Sequence, residues 1–433
     1  MKRKHIYWIG LVLFFWLAIF LTFNRHSKSK SFNYHSEIWG DKSGYYVYLP
    51  AALKYSFIPE NFPDSIDIKT GNGFVLDYKN NKVRTKYTYG VALMQLPFFL
   101  TADILAKPLN QKRDGFSPVY HWSINVAAIF YLFFGLIFLS IYLKSRFKSN
   151  ISLLVLISLF LGTNLYYYSI DETGMSHIYS FFLFSAFLFL QKKTNYLAET
   201  NFIKNLLIGL LMGLIIVIRP TNILFLLSFL FLDIDSKTEI IIRIKRLLNY
   251  RISLSIFIAS FIIIFPQLLY WNYANGSFIS YSYGNEGFNW SNPQFLSTWF
   301  SPNNGLFTYT PFYFLLTASM VFMIINRIKN GMFFLFMFFL ISYVFSAWWD
   351  WTFGCSFGAR SYVEYLALFS IPLAYLFQYI SEQSTIKKIM FGFIVFALIA
   401  FNLKMTYSYD GCFYGKRNWD WPVYFEIVTR QTK

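Results

Sequence analysis

The chain has 433 residues, of which 56% are hydrophobic, 23% are aromatic and only 14% are charged. Such a composition excludes a soluble globular domain and is typical of a polytopic membrane protein. The formal net charge of +17 would suit a nucleic-acid-binding protein. Most basic residues flank apolar segments, however, so we interpret the charge as membrane topology and expect no nucleic-acid partner.

The first apolar segment, 6–23, follows a basic N-terminus. Secretory signal peptides share this order, but the segment is nearly long enough to cross a bilayer and no small-residue cleavage site follows it. We therefore interpret it as an uncleaved membrane helix. With the later apolar segments it predicts an all-α polytopic bundle of eleven spans, at 6–23, 119–143, 151–170, 175–191, 204–218, 221–232, 252–272, 306–326, 331–349, 361–380 and 387–404.

Lysine and arginine residues distinguish the two sides of these spans. They cluster in every second connection, at 2–4, 144–148, 192–204, 237–251, 327–329 and 387–388. The short connections between these clusters hold only Arg219 and Arg360. By the positive-inside rule, the N-terminus is cytoplasmic and the C-terminus lies outside. The apolar run 89–106 would invert this pattern if it crossed the membrane, so we predict an interfacial or re-entrant helix there.

Most of the length outside the membrane falls on the outer side. It comprises a first outer loop at 24–118 with a small lobe at 60–86, a second large outer loop at 273–305 and an outer C-terminal tail at 405–433. We therefore expect a multi-pass protein of the cytoplasmic membrane whose active face is outside. Both cysteines, Cys355 and Cys412, fall on that side, where a disulfide is permitted but not required by the sequence.

Two carboxylates, Glu37 and Asp41, follow the first span. They are four positions apart and would share one face of a helix. A partly desolvated carboxylate beside the membrane can act as a general base toward an acceptor hydroxyl or amine. The alternative, which has equal weight from position alone, is that both acids only solvate a loop.

Two aromatic runs follow in the same loop, at 44–57 with Tyr45 and Tyr46, and at 86–99. Each resembles a helix that lies at the level of the lipid headgroups. This arrangement resembles the GT-C superfamily of integral membrane glycosyltransferases, closest to the protein-O-mannosyltransferase and aminoarabinose-transferase branch. In that family the first outer loop carries an acidic catalytic motif and two juxtamembrane helices. Asp41 matches the position of the catalytic aspartate, although Lys42 replaces the second acid of the usual doublet.

A second acidic pair, Asp171 and Glu172, lies in a tight outer turn with His177 one helical turn further on. These acids could simply cap the next helix. The resemblance implies instead that an acid here helps to bind metal or orient the acceptor. His35, Glu37, Asp41, Asp171 and His177 could together hold a divalent metal, but their spacing does not decide whether one is required.

Three cations on the outer side are candidates for binding a phosphate. Arg219 lies between two apolar spans, where an unpaired charge is costly. Arg360 ends the segment 348–360, and Asn303 lies in the segment 300–311; both segments resemble stretches of uncharacterised bacterial GT-C-like proteins. Glycines before a helix and a bidentate arginine favour phosphate binding, and Lys86 is the third cation. We attribute most tryptophans here to the aromatic belt.

The resemblance implies an inverting glycosyltransferase that moves a sugar from a polyprenyl-phosphate donor to a protein, lipid or glycan acceptor. The implied roles are general base for Asp41, supporting catalytic acids for Glu37, Asp171 and Glu172, donor-phosphate binding for Arg360, Arg219 and Lys86, and substrate contacts for Tyr45, Tyr46, His177 and Asn303. Two alternatives remain open. A flippase of lipid-linked saccharides would place ionisable residues at mid-membrane in a repeated architecture, and a polysaccharide polymerase or ligase would more often carry its large loop late in the chain.

Overall fold

The computed structural model describes residues 2–27, 30–193, 201–234, 236–409 and 420–430. About 69% of the chain is helical. The α-helices of the described residues are α1 (Lys2–His26), α2 (Asp41–Tyr46), α3 (Tyr48–Leu53), α4 (Ile66–Lys69), α5 (Gly90–Ala106), α6 (Pro118–Lys144), α7 (Ser149–Gly162), α8 (Leu165–Ile170), α9 (Ser176–Lys193), α10 (Phe202–Ile218), α11 (Leu227–Phe231), α12 (Lys237–Leu247), α13 (Tyr250–Asn275), α14 (Phe295–Phe300), α15 (Leu306–Tyr309), α16 (Phe312–Ile325), α17 (Gly331–Ser346), α18 (Leu366–Ser381), α19 (Thr385–Ser408) and α20 (Trp421–Thr429). Short 3₁₀ segments occupy Pro59–Asn61, Pro220–Leu226 and Arg360–Tyr362, and two strands, β1 (Val75–Asp77) and β2 (Lys82–Arg84), form the one sheet seen in these ranges.

Four of the described helices are long and apolar enough to cross a membrane, at Ile9–His26, Pro118–Lys144, Tyr250–Asn275 and Thr385–Ser408. Seven shorter apolar helices accompany them, in the segments α5, α7, α10, Pro220–Phe231, α16, α17 and α18. This confirms the all-α polytopic class. The count of eleven spans stays a prediction.

The segment predicted as the span 151–170 is interrupted between α7 and α8. Thr163 Oγ1 donates to the Leu159 carbonyl at 2.6 Å, and Asn402 of α19 donates to the carbonyls of Leu161 and Thr163 at 2.8 and 2.9 Å. A broken helix is tolerated inside an apolar bundle when side chains satisfy the freed backbone groups in this way. The break separates α7 from the short helix α8, which leads directly into the turn that carries Asp171.

Helix α5 covers most of the apolar run 89–106. Just before it, Thr88 donates to the carbonyl of Ile218 at the C-terminus of α10, at 3.1 Å. Near its other end, Asp103 accepts a hydrogen bond from Tyr120 in the first turn of α6, at 2.6 Å. Between these points α5 packs along α6, where the Tyr131 hydroxyl donates to the Met94 carbonyl at 2.7 Å. Its placement at the membrane interface stays a prediction.

The lobe between α3 and α5 contributes Phe62, Phe74 and Val83 to a buried cluster that also includes residues of α5, α6 and α13. Its two strands pair antiparallel, with Leu76 opposite Val83. The lobe is fastened to α13, because the Tyr270 hydroxyl accepts from the backbone amide of Thr85 at 2.7 Å. The first outer loop therefore packs against the helix that leads into the second, 273–305.

The polar loops meet at the end of the bundle where α6 and α9 begin and α1 and α10 end. Asp171 pairs with Arg25 of α1, and Thr173 donates to Asn125 of α6 at 2.7 Å. At the opposite end, Arg146 pairs with Asp233. The segments predicted to face outward thus collect at one end and several of the basic connections at the other.

Candidate active site

A cavity of about 560 Å³ opens at the end of the bundle where the polar loops meet. Five separate parts of the chain surround it: the first outer loop, the turn before α9, the end of α10, the second large loop and the segment 348–360. Six of the predicted site residues line it, namely Asp41, Tyr45, Lys86, Glu172, Arg219 and Arg360. Lys42, next to Asp41, lines it as well. Aromatic side chains supply much of the remaining wall, among them Tyr87, Tyr283, Trp348 and Trp349.

Asp41 is the first residue of α2 and is anchored through both carboxylate oxygens. Arg360 Nη2 donates to Asp41 Oδ2 at 2.8 Å, and the Tyr87 hydroxyl donates to Oδ1. Burial alone would raise the pKa of Asp41, but Arg360 and Tyr87 more than offset it and the pKa is lowered. Asp41 is therefore ionised at neutral pH, and 35% of its side chain remains exposed to the cavity.

The helix can begin at Asp41 because Gly40 has a φ of 56°. Side chains rarely adopt this left-handed conformation, which glycine takes at little cost. The Gly40 amide donates to the carbonyl of Thr70 at 2.9 Å, so the lobe holds the residue that precedes Asp41. The lobe thus fixes where the carboxylate enters the cavity.

Arg360 is held by the aromatic segment that precedes it. Its guanidinium lies 5.7 Å from the ring centroid of Phe353, within the range of a cation–π contact. Asn304 donates to the carbonyls of Thr352 and Gly354 at 2.8 and 2.9 Å, which fixes the turn on which Phe353 lies. With one donor bonded to Asp41, the guanidinium has further N–H groups that can meet a ligand.

Arg219 is oriented by the carboxylate of Glu364, which was not predicted from the sequence. Its Nη1 donates to Glu364 Oε1 at 2.9 Å, and the second oxygen of Glu364 lies 2.9 Å from His177 Nδ1. Glu364 is fully buried, so this arrangement compensates a charge that would otherwise be costly. Arg219 faces the cavity, whereas His177 lies behind it and contacts Glu364 instead of the space where a substrate would sit.

Lys86 lies on the rim of the cavity. Its ammonium is 2.5 Å from Glu286 Oε1 and 5.5 Å from the ring centroid of Tyr283. Both partners belong to the second large loop. Tyr45 packs against Tyr87 with ring centroids 4.5 Å apart, which places both rings beside Asp41.

Lys42, the residue after Asp41, pairs with the other acidic turn. Its ammonium lies 2.9 Å from Glu172 Oε2, and both residues line the cavity. This ion pair joins the first outer loop to the turn before α9. A second carboxylate stands at the cavity wall, neutralised by the lysine next to Asp41.

Five of the predicted site residues do not line this cavity: His177, described above, and Glu37, Asp171, Tyr46 and Asn303. Glu37 is buried against His26 and His121, each 3.0 Å away, and Asn125. Burial would raise the pKa of Glu37, but hydrogen bonds from the two histidines lower it well below the usual carboxyl range. Asp171 is paired with Arg25, and Asn303 lies outside the cavity wall. Tyr46 donates to the Gly115 carbonyl at 2.5 Å and packs against Phe99 and Phe116.

The five residues considered for a divalent metal are thereby divided among separate environments. Glu37, Asp171 and His177 each have partners of their own, as described above, while His35 and Asp41 line the cavity. Among the described residues, no group of three or more histidine, cysteine, aspartate or glutamate side chains is arranged to hold a metal ion.

Of the two cysteines, Cys412 lies outside the described residues. Cys355 is not a free thiol.

Several residues around Asp41 were not predicted from the sequence. Tyr87 belongs to the aromatic run 86–99 but nothing in its neighbours separates it from the other tyrosines. Glu364 could have been identified from the sequence, because it is an ionisable residue within the apolar segment 361–380, and such residues usually have a functional partner.

No protein family, curated protein or solved structure matches the chain.

Proposed function

We propose that this protein is a membrane glycosyltransferase of the GT-C type that uses a sugar donor linked to a lipid phosphate. One observation carries the proposal: the carboxylate of Asp41 and the guanidinium of Arg360 meet in a cavity walled by aromatic and cationic side chains. A base and a phosphate-binding cation in one partly desolvated space are what such a transfer needs.

In the proposed reaction, Asp41 removes the proton from an acceptor hydroxyl or amine. The acceptor attacks the anomeric carbon of the sugar, and the bond from that carbon to the lipid phosphate oxygen breaks. The lipid phosphate leaves with the electron pair, and Arg360 stabilises its negative charge, with Arg219 and Lys86 nearby on the cavity wall. A single displacement inverts the anomeric centre.

In the proposed mechanism, donor binding activates the base through the ion pair of Asp41 with Arg360. Without a donor, Arg360 lowers the pKa of Asp41 and so makes it a weak base. A donor phosphate that pairs with Arg360 neutralises part of the guanidinium charge felt by Asp41. The pKa of Asp41 then rises toward the usual carboxyl range, and proton removal becomes easier when the donor is in place.

The aromatic wall suits a sugar. Trp348, Trp349 and Tyr283 line the cavity beside the charged groups. Rings of this kind offer apolar faces to the C–H faces of a sugar, while a few polar groups fix its orientation. The proposal therefore assigns the sugar to the space between these rings and Asp41.

The purified protein, incubated with a panel of radiolabelled polyprenyl-phosphate sugars and mixed membrane acceptors, tests the proposal. We expect transfer from at least one donor and none from the same donor with the Asp41→Asn variant. A lipid-linked saccharide that crosses proteoliposome membranes without transfer would support the flippase alternative and overturn the proposal. Absence of transfer from every donor would also count against it.

A further inference from the structure

A second cavity, of about 630 Å³, lies at the other end of the bundle. It adjoins the C-terminal ends of α6 and α9, whereas the first cavity adjoins the end where these helices begin. Among its described lining residues are five basic side chains and one acidic one, Asp233. The basic residues are Arg146, Lys192, Arg243, Arg246 and Lys329. A cavity lined mainly by side chains of one charge attracts ions of the opposite charge.

The two arginines deepest in this cavity retain donors that are not used. Arg146 donates from Nη1 to Asp233 Oδ1 at 2.7 Å, and Arg243 donates from Nη1 to the carbonyl of Phe229 at 3.0 Å. These bonds hold both guanidinium groups in place. In each arginine the Nε is buried and has no hydrogen-bond partner within the described residues. Buried donors without an acceptor are uncommon, and here both belong to side chains that line the cavity.

An apolar groove of about 380 Å³ adjoins the basic cavity, and Leu247 lines both. Its other walls are side chains of α10 and α13, which are apolar except for Ser253 and Ser260 and include Phe257, which is 62% exposed, and Phe261. Helix α12 lies beside them and exposes Ile241 and Ile244 at its surface while Arg243 turns inward. A basic helix with one apolar face is typical of a segment at a membrane surface.

We propose that the basic cavity binds the phosphate headgroup of an anionic membrane lipid and that the adjoining groove holds one of its acyl chains. A phosphate diester supplies acceptor oxygens for the arginine donors and neutralises part of the lining charge. The groove favours a lipid over a soluble phosphate, because a soluble anion would leave it empty. The cavity also adjoins connections predicted to be cytoplasmic, where anionic lipids attract lysine and arginine. The inference does not depend on glycosyl transfer.

The test is native mass spectrometry of the purified full-length protein, titrated with dioleoyl-phosphatidylglycerol or with dioleoyl-phosphatidylcholine. We expect selective retention of phosphatidylglycerol, and a loss of its affinity by about 100-fold in the triple variant Lys192→Gln, Arg246→Gln, Lys329→Gln. The matched control is Lys148→Gln, Lys387→Gln, Lys388→Gln, which removes the same charge from exposed residues outside the cavity. The control should bind phosphatidylglycerol like the unmodified protein.

Competition with glycerol phosphate separates a lipid from a soluble anion. If glycerol phosphate displaces the lipid at equal concentration, the groove contributes nothing and the lipid proposal fails. It also fails if both lipids bind equally, or if the control triple variant loses as much affinity as the cavity variant. This binding assay requires no turnover, so its result does not depend on the outcome of the transferase assay.

Discussion

Asp41 and Arg360 are separated by 319 positions in the chain, yet their side chains form an ion pair of 2.8 Å in one cavity. Arg360 belongs to the segment before α18, and Asp41 begins the first helix after α1. Two such distant parts of a membrane protein meet only because the loops of the bundle collect at one end. The pair therefore provides the most direct target for mutation.

Asp41→Asn keeps the size of the side chain and removes its basicity. We expect the transfer rate to fall by about 10²–10⁴-fold, the usual contribution of a general base. Initial rates with the best donor measure this loss, and size-exclusion chromatography checks that the variant is folded. Glu60→Gln, at an exposed acid of the lobe, is the control and should retain full activity. Full activity in Asp41→Asn would remove this residue from the mechanism.

Arg360→Lys keeps the positive charge but loses the planar donor fork. Because a hydrogen bond to a charged group contributes about 1.5–3 kcal/mol, we expect the KM for the donor to rise by about 10- to 100-fold. Steady-state kinetics over a range of donor concentrations give this value. Arg113→Lys alters an exposed arginine of the first outer loop that pairs with Asp103, and its KM should not change. An unaltered KM in Arg360→Lys would show that Arg360 does not bind the donor phosphate.

Tyr87→Phe removes one of the two hydrogen bonds that lower the pKa of Asp41. Since a base acts in its deprotonated form, kcat/KM falls as the pH drops through the pKa of Asp41. In the unmodified protein this acidic limb lies below the usual carboxyl range, and in Tyr87→Phe it should move to higher pH. The pH profile of kcat/KM measures the shift.

Tyr89→Phe is the matched control for that profile. Tyr89 donates to the Ile263 carbonyl at 2.5 Å, so its replacement also removes a tyrosine hydrogen bond but one without contact to Asp41. Its acidic limb should coincide with that of the unmodified protein. An identical shift in both variants would mean that the profile does not report Asp41.

Glu364→Gln leaves Arg219 without its carboxylate partner in a buried setting. Breaking one side of a buried ion pair typically costs about 3–5 kcal/mol, so we expect a clear fall in the melting temperature in detergent. The double variant Glu364→Gln, Arg219→Gln should recover part of it, because no unpaired charge remains. Glu382→Gln, at an exposed acid near the C-terminus of α18, is the control. A melting temperature equal to that control would contradict the role of Glu364.

The sequence predicted the apolar helices and the collection of the polar segments at one end because these depend on hydrophobicity and charge along the chain. The expectation that Asp41 and Arg360 share one site came instead from the resemblance to the GT-C superfamily. The sequence misplaced Glu37. The two acids share a helical face only if residues 37–41 are helical, but the chain makes bends there and α2 begins at Asp41. A left-handed Gly40 separates them, and such a turn is set by packing against the lobe.

For Tyr45 and Tyr46, the sequence could not predict which of the two side chains faces the cavity. Consecutive residues of a helix point in directions about 100° apart, so only one of two adjacent tyrosines can face a given cavity. Tyr45 lines the cavity beside Asp41, whereas Tyr46 packs against Phe99 and Phe116. The choice depends on how α2 is rotated against α5, which no local pattern in the sequence encodes.

The double anchoring of Asp41 has a consequence for the entropy of the proposed transfer. Because Tyr87 and Arg360 hold the carboxylate in one orientation before any donor binds, little rotational freedom of the base would remain to be lost in the transition state. When a donor phosphate pairs with Arg360, the hydrogen bond from Tyr87 would still hold the carboxylate in place.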